Sequence, residues 1–398
     1  MSNNSKHILI GITGGIAAYK VCDLLRLLKK DGFDVDVIMT KNATEFITPL
    51  TIQTLINKPV YTELFTLINE SKIGHISLAD RTDLIVVVPA TANFIGKMAA
   101  GIADDLLTTT ILASKSKVLL VPSMNTNMWE HPVVQENIKK LQRIYQIMQP
   151  AEGLLACGVY GSGRLPDVED ILDEIKAQWF EKPLKGKKVL VTAGPTIEEI
   201  DPVRYISNYS SGKMGYALAK VAKNMGAFVT LISGPVSLKP PYGVELVNVK
   251  SANEMLKACK SKLKADVIIM SAAVCDYKPS KRSEQKIKKE KETFELKLER
   301  NPDILKFISE NRKNGTVVIG FAAETEQLLK NAHKKLVNKN LDMIVANKVT
   351  EEGSGFGSDT NKVTIISKKG IAPLELMKKE DVAKAILDYL VENFLSKN

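Results

Sequence analysis

Two segments of the chain open in the same way, and this repetition constrains the fold more than any other feature. HILIGITGGIAAYKVCDLLRLLKKDGFDVDVIMT (His7 to Thr40) is typical of a strand, a glycine turn, an amphipathic helix and a second strand. Lys187 to Ser233 repeats the pattern with a longer loop inserted after its first strand. Each segment predicts the βαβ opening of a doubly wound sheet.

Continuous apolar runs follow each opening. DLIVVVPA and KVLLVPS lie in the first half, and DVIIMSAAV, TVVIGFAAE and LDMIVANKV lie in the second. Such runs are typical of parallel strands that are buried on both faces. We therefore predict an α/β protein with two doubly wound, Rossmann-like domains, residues 1–184 and 185–398, which meet in the polar segment WFEKPLKGKK.

Charge and composition narrow the class of function. The formal net charge is +10, and the densest basic run, Lys278 to Lys291, has seven Lys or Arg and two Glu without interleaved aromatic residues. This pattern favours small anionic substrates over nucleic acid, although a solvated charged loop would look the same. Four cysteines without CxxC spacing, no signal-peptide pattern and no apolar run of membrane-spanning length predict a cytoplasmic protein that does not bind a membrane.

Neither glycine turn has the spacing of the dinucleotide fingerprint. Gly11, Gly14 and Gly15 are spaced GxxGG rather than GxGxxG. Backbone amides after Gly15 would suit a phosphate, and a plain tight turn is the alternative. A second unusual segment is VPSMNTNMWEHP (Val121 to Pro132), in which prolines, asparagines and an indole predict a shaped binding loop rather than a helix or strand. Asn125 alone would equally fit an Asx turn.

Several motifs of the first half together resemble the homo-oligomeric flavin-containing cysteine decarboxylases. They are GITGGIAAYK, GHISLADRTD, PATANFIGKMAAGIADDLL, PSMNTNMW and LACGVYGSGRLP. The whole chain resembles the bifunctional phosphopantothenoylcysteine decarboxylases and phosphopantothenate-cysteine ligases of bacterial coenzyme A synthesis. This resemblance implies that cysteine is joined to 4′-phosphopantothenate through an acyl cytidylate formed from CTP, and that the product is then decarboxylated with FMN to 4′-phosphopantetheine.

The resemblance also assigns roles in the first half. A cysteinyl carboxylate needs an electron sink before it can lose CO2, which a flavin creates by oxidising the thiol. Asn125 then binds the carboxylate, His75 acts near the flavin and thiol, and Cys157, within a glycine-rich lid, protonates the product. The implied flavin-binding residues are Gly14, Gly15, Thr40, Pro89, Ala90, Thr91 and Asn93. The family builds this site between subunits, so we expect a higher-order homo-oligomer.

The second half carries the ligase motifs AGPTIEEIDPVRYISNYSSGKMG, SAAVCDYKP, KIKK, ERNPDIL and GFAAET. By resemblance, Asn208 serves formation or turnover of the intermediate, and Lys286 is the key lysine of a loop that folds over the phosphates. Mg²⁺ is implied by the triphosphate, with no protein ligands identified. The implied nucleotide-binding residues are Ser271, Ala272, Asp276, Lys286, Lys288, Lys289, Pro302, Asp303, Ile304, Leu305, Phe321, Lys335 and Lys339. The paired βαβ units leave one alternative, a two-domain NAD(P)-dependent oxidoreductase.

Overall fold

The chain divides into two compact units, Met1–Gln178 and Trp179–Asn398. The structure, a computed structural model, describes residues 5–64, 74–156, 158–288 and 294–395. Each unit is a mainly parallel sheet with helices on both faces, which confirms the predicted α/β class. The domain boundary after residue 184 stays a prediction, and Leu184 itself is fully buried in the core of the second unit.

The first unit contains a six-stranded parallel sheet. Its strands are β1 (His7–Ile12), β2 (Asp34–Met39), β3 (Val60–Tyr61), β4 (Leu84–Ala90), β5 (Lys117–Pro122) and β6 (Gln146–Ile147), followed by the antiparallel hairpin β7 (Ala151–Leu154) and β8 (Tyr160–Arg164). The sheet order is β3-β2-β1-β4-β5-β6, which is the Rossmann order. Every residue of β4 is buried, as its continuous apolar sequence predicts.

Eight helices lie in the described part of the first unit. They are α1 (Val21–Lys30), α2 (Pro49–Ile56), α3 (Gly74–Arg81), α4 (Ala92–Ala100), α5 (Leu106–Ala113), α6 (Thr126–Glu130), α7 (Pro132–Leu141) and α8 (Val168–Lys176). The amphipathic helix expected directly after Gly15 begins only at Val21, because a 3₁₀ turn occupies Ile16–Lys20. The helix then buries Leu24, Leu25 and Leu28 at the spacing of one helical face.

The second unit is built on an eight-stranded sheet with the same parallel order. Its strands, with those of three small ribbons, are β9 (Lys188–Ala193), β10 (Ile197–Glu199), β11 (Tyr205–Ser207), β12 (Phe228–Ser233), β13 (Glu245–Asn248), β14 (Val267–Met270), β15 (Tyr277–Pro279), β16 (Leu298–Arg300), β17 (Val317–Glu324), β18 (Met343–Lys348), β19 (Thr360–Asn361), β20 (Thr364–Ser367), β21 (Gly370–Pro373) and β22 (Met377–Lys378). The sheet order is β13-β12-β9-β14-β17-β18-β20-β21, and only β20 and β21 are antiparallel.

Helices cover both faces of the second sheet. They are α9 (Lys213–Asn224), α10 (Ala252–Lys260), α11 (Ile304–Asn311), α12 (Leu328–Asn338) and α13 (Lys379–Leu390). Alternate residues of β9 point to opposite faces, so Val189 and Val191 pack in the core of α9 and α13, whereas Leu190 packs in the core of α10, α11 and α12. Among the helices of the described residues, none combines the length and hydropathy needed to cross a membrane.

Candidate active sites

The first unit has a cavity of about 770 Å³ at the carboxyl ends of its central strands. This is where an open α/β sheet places its ligands, and the volume lies within the range of about 300–1,000 Å³ typical of cofactor sites. The turns after β1, β2, β4 and β5 and the β7–β8 hairpin supply its walls. The residues predicted from the sequence that line it are Gly14, Gly15, Thr40, Thr91, Asn93 and Asn125.

The turns after β1 and β4 are fixed to one another by Thr13. Its hydroxyl donates to the carbonyl of Pro89 at 2.6 Å and accepts the backbone N–H of Thr91 at 3.2 Å. Pro89 and Ala90, predicted to bind the cofactor, do not line the cavity, because they still belong to β4 and Ala90 is fully buried. They lie behind Thr91, which is the next residue and lines the cavity.

Gly14 permits a close approach of two backbone segments at the cavity. A Cβ atom at position 14 would lie 2.5 Å from Cβ of Asn42 and 2.9 Å from its carbonyl carbon. Asn42 and Gly14 both line the cavity. Only glycine fits here, because any side chain would force the turn after β1 away from the turn after β2.

Asn125 begins a helix, which corrects the expectation of a loop without helix for this segment. It is the N-cap of α6, and its Oδ1 accepts the backbone N–H of Asn127 at 2.9 Å. The Asx turn and the ligand-facing position therefore occur in the same residue. The backbone N–H of Met124 donates to the carbonyl of Gly163 at 2.9 Å, which joins this turn to the β7–β8 hairpin.

This chain alone does not bring His75 to the first cavity. His75 is partly buried on α3 and does not line the cavity. Cys157 lies outside the described residues, but its neighbours Leu155 and Ala156 line the cavity. The predicted glycine-rich lid contains a short antiparallel hairpin, and Gly158 turns the chain with a φ of +80°.

Four cations of the first cavity escaped the sequence reasoning, because each is an isolated basic residue outside any basic run. They are Lys20, Lys41, Lys97 and Arg164. Lys97 lies 2.7 Å from Asp104, and this hydrogen bond raises the pKa of the lysine. The adjacent Asp105 is the N-cap of α5 and forms a reciprocal capping box with Thr108.

The second unit has its own cavity of about 770 Å³, again at the carboxyl ends of the parallel strands. Side chains and backbone from both faces of the sheet converge on it. The residues predicted from the sequence that line it are Asn208, Ser271, Ala272, Asp276, Pro302, Asp303, Ile304, Leu305, Phe321, Lys335 and Lys339.

Two lysines of α12 and its C-terminal end are held by contacts within the second unit. Lys335 donates to the carbonyl of Phe321 at 2.7 Å, and Lys339 forms an ion pair with Asp303. Burial lowers the pKa of Lys335. Burial alone would raise the pKa of Asp303, but the hydrogen bond from Lys339 and that from the backbone of Lys306 outweigh it, so this pKa lies below its usual value.

Asn208 is held against the segment between β14 and β15. Its Nδ2 donates to the carbonyl of Ala273 at 2.8 Å and lies 3.7 Å from the sulfur of Cys275. Cys275 is buried, and burial raises the pKa of its thiol. This cysteine is therefore a packed thiol of the second unit.

The described part of the predicted phosphate loop is anchored to Asp201 and Arg204 and does not line the second cavity. Neither Lys286 nor Lys288 is among the lining residues, and Lys289 lies outside the described residues. The intervening Ile287 is tied down at both backbone groups, because its carbonyl accepts from Arg204 at 2.8 Å and its N–H donates to Asp201 at 3.2 Å. The Arg204 guanidinium holds the pKa of Asp201 well below its usual value.

Further polar residues of the second cavity were missed, because tertiary structure brings them together from distant segments. They are Lys213, Arg300, Asn301, Asn347, Asn361 and Lys379. Only Arg300 and Asn301 had a usable signal, since they directly precede the predicted Pro302. No group of three or more His, Cys, Asp or Glu side chains within the described ranges is arranged to hold a metal ion.

Two family models together match nearly the whole chain. Residues 1–180 match the flavoprotein family, and residues 184–394 match the DNA/pantothenate metabolism flavoprotein C-terminal domain. The Coenzyme A biosynthesis bifunctional protein CoaBC of Bacillus subtilis is 49% identical over 391 residues, which cover 96% of each chain. The protein of the same name from Escherichia coli is 41% identical over 404 residues and 100% of both chains.

A solved structure of the C-terminal domain of a Coenzyme A biosynthesis bifunctional protein CoaBC is 44% identical to this chain. The match covers 53% of this chain and 97% of that one, with a TM-score of 0.46.

The family models and the full-length relatives confirm the predicted bifunctional enzyme and give no support to the oxidoreductase alternative. The chain belongs to the family of coenzyme A biosynthesis bifunctional proteins, enzymes that join a flavoprotein decarboxylase half to a ligase half.

Proposed function

We propose that the second half joins cysteine to 4′-phosphopantothenate with CTP and Mg²⁺, and that the first half decarboxylates the product with FMN, in the cytoplasm. One observation carries the proposal. Each sheet has a separate cavity at the carboxyl ends of its strands, and each cavity is lined by several of the residues that family resemblance assigns to that half. The two reactions therefore have two distinct sites to occupy.

The first cavity suits FMN by its volume and by the close backbone approach at Gly14. Gly14, Gly15, Thr40, Thr91 and Asn93 would hold the cofactor, with Pro89 fixing the wall through Thr13. Lys20, Lys41 and Arg164 supply positive charge for its phosphate. When bound, FMN would accept two electrons from the cysteinyl thiol, which gives the carboxylate an electron sink, and would return them after CO2 is lost, so that the product is again a thiol.

Asn125 would orient the substrate carboxylate in the first cavity. A neutral amide donates a hydrogen bond without adding a full positive charge, so it positions the carboxylate without overstabilising the charge that CO2 loss removes. Cys157 would donate the proton to carbon after decarboxylation. The hairpin that carries it already contacts the Asn125 turn through Met124 and Gly163.

We infer that a second copy of the chain completes the decarboxylase site. His75 lies on α3 and does not reach the first cavity of its own chain. The rim of that cavity includes the exposed apolar side chains Ile16, Tyr19, Met128 and Leu154, of which Leu154 is 67% exposed. Apolar side chains at the mouth of a charged cavity favour burial against another protein surface.

The second cavity would hold two phosphorylated substrates. A carboxylate resists attack by an amine until it carries a leaving group. The carboxylate oxygen would attack the α-phosphate of CTP and displace pyrophosphate, and CMP would leave when the amine of cysteine attacks the acyl carbon. Lys335, Lys339 and the segment Pro302–Leu305 would bind CTP, and Lys286 would neutralise charge that develops on the reacting phosphate. Mg²⁺ would take most of its ligands from the triphosphate, consistent with its preference for phosphate oxygens and water.

A single-pot assay tests both halves. The full chain is supplied with phosphopantothenate, CTP, Mg²⁺ and cysteine, and 4′-phosphopantetheine is the expected product. Lys286→Gln should stop pyrophosphate release while the protein stays yellow, and Cys157→Ser should stop the pathway at an oxidised decarboxylated product. A colourless protein, or equal ligation with ATP, would contradict the assignment of FMN or of CTP.

A further inference from the structure

Two lysines without an assigned role line the second cavity on the side of α9 and α13. Lys213 is the first residue of α9, and Lys379 is the first residue of α13. These two helices cover the sheet face opposite to α11 and α12, which carry the predicted nucleotide residues. The lysines therefore add positive charge at a different wall of the cavity from Lys335 and Lys339.

Both lysines stand where a helix disfavours a cation. The amino-terminal end of an α-helix carries partial positive charge and favours anions. The first turn of α9 has no acidic residue. The first turn of α13 has two acids, Glu380, which Lys220 engages at 2.8 Å, and Asp381, which offsets part of the positive charge at that helix end. The two ammonium groups and the amino-terminal end of α9 thus place positive charge at one wall of the cavity.

The carboxylates of the protein balance little of the positive charge of Lys213 and Lys379. Lys213 lies 2.6 Å from the carboxylate of Asp359, whose side chain is 87% exposed and so contributes weakly. Lys379 is only 7% exposed, and its ammonium donates to the neutral carbonyl of Ser358. Burial and the nearby Lys213 both lower the pKa of Lys379. A buried ammonium is costly unless an anion compensates it.

We propose that Lys213 and Lys379 together bind a phosphate group of a substrate at the amino-terminal end of α9. The inference rests on the proposed ligase function and adds a subsite to it. Backbone amides at the start of α9 and two lysines form a typical phosphate environment. Both substrates carry this chemistry, either as the monophosphate of phosphopantothenate or as the triphosphate of the nucleotide.

The experiment compares KM values for the two substrates in pyrophosphate release by the full chain. Lys379→Met removes the charge at similar volume, and Lys213→Gln removes the partly exposed partner. Loss of a charge-assisted hydrogen bond should raise one KM by about tenfold or more. A rise for phosphopantothenate places its phosphate here, and a rise for CTP places the triphosphate here. Lys213→Arg should restore most of the affinity.

Lys220→Gln is the matched control, because Lys220 joins the same two helices through Glu380 without lining the cavity. It should leave both KM values unchanged. A second readout needs no turnover: inorganic pyrophosphate should raise the unfolding temperature of the wild type and of Lys220→Gln, and raise it less in both cavity variants. Unchanged KM values and unchanged pyrophosphate protection in those variants would overturn the subsite. A wild type protected by pyrophosphate but without CTP-dependent turnover would instead reject the proposed ligase function.

Discussion

The side-chain oxygen of Asn125 accepts the backbone N–H of Asn127 at 2.9 Å, and the same side chain lines the first cavity. One residue therefore caps α6 and presents an amide to the ligand. Substitution can separate the two roles, because a carboxylate caps a helix as well as an amide does but repels the carboxylate of a substrate.

We expect Asn125→Asp to keep the unfolding temperature and to lose decarboxylation. Asn125→Ala should lose activity and about 1 kcal/mol of stability, since it also removes the cap. His131→Ala is the control: His131 caps α7 through the N–H of Val133 and does not line the cavity, so stability should fall while activity remains. Substantial decarboxylation by Asn125→Asp would contradict the assigned role.

Gly14→Ala should abolish flavin binding. The new Cβ would lie 2.5 Å from Asn42 Cβ, so the turn after β1 must move at the place where the cofactor is expected. Gly96→Ala on α4 is the matched control, because its Cβ meets only Asn137 Nδ2 at 4.0 Å. The visible absorbance of the purified variants measures bound flavin. A yellow Gly14→Ala protein would place the cofactor elsewhere.

Asp36 should stabilise the first unit in a pH-dependent way. Burial opposes its ionisation, but the hydrogen bond from His7 and the charges of Arg81 and Lys58 outweigh burial, so the pKa of Asp36 is lowered. A lowered folded-state pKa means that the stabilisation is present above the unfolded pKa of about 3.9 and is lost as the pH falls through the folded value.

Asp36→Asn should therefore lower the free energy of unfolding by about 2 kcal/mol at neutral pH. This is less than for a fully buried ion pair, because Arg81 and Lys58 are partly exposed. The cost should shrink below about pH 4, where the wild type loses the same charge. Chemical unfolding from pH 3 to pH 7 measures it. Asp104→Asn, in the exposed pair with Lys97, should change little at any pH. A cost for Asp36→Asn that does not vary with pH would contradict the ionic origin.

Asp201 should position Lys286 for the ligase reaction. Its carboxylate accepts the N–H groups of Val203, Arg204 and Ile287, and Ile287 adjoins the key lysine. We expect Asp201→Asn to lower kcat for pyrophosphate release by about ten- to a hundredfold through misplacement of that lysine. Arg282→Gln, which breaks an exposed pair with Glu199, should not lower it. If Asp201→Asn lowers the rate no further in a Lys286→Gln background, the two act together.

The parallel sheets were predictable because their strands are short continuous apolar runs. Leu84–Ala90 and Val267–Met270 are buried at every position, so burial on both faces is written directly into the sequence. The carboxyl ends of such strands meet at one edge, and residues that follow them, such as Thr91 and Ser271, line the cavities there.

The small ribbons and the capping turns were not predictable in this way. Tyr205–Ser207 and Leu298–Arg300 are too short and too exposed to show a period, and they form because neighbouring segments pair with them. Asn125 starts a five-residue helix that composition argued against, since capping and the Gly163 contact override weak propensity. Lys213 and Lys379 lie at the same cavity because α9 packs against α13, and no local sequence pattern predicts that packing.

The first sheet ends in a two-residue strand on each side, Val60–Tyr61 and Gln146–Ile147. Edge strands this short leave few unpaired backbone N–H and C=O groups, so another strand has almost nothing to pair with. Copies of this chain therefore have little means of joining edge to edge through this sheet, which guards against fibrous aggregation and leaves helices and turns as the surfaces on which ordered assembly can be built.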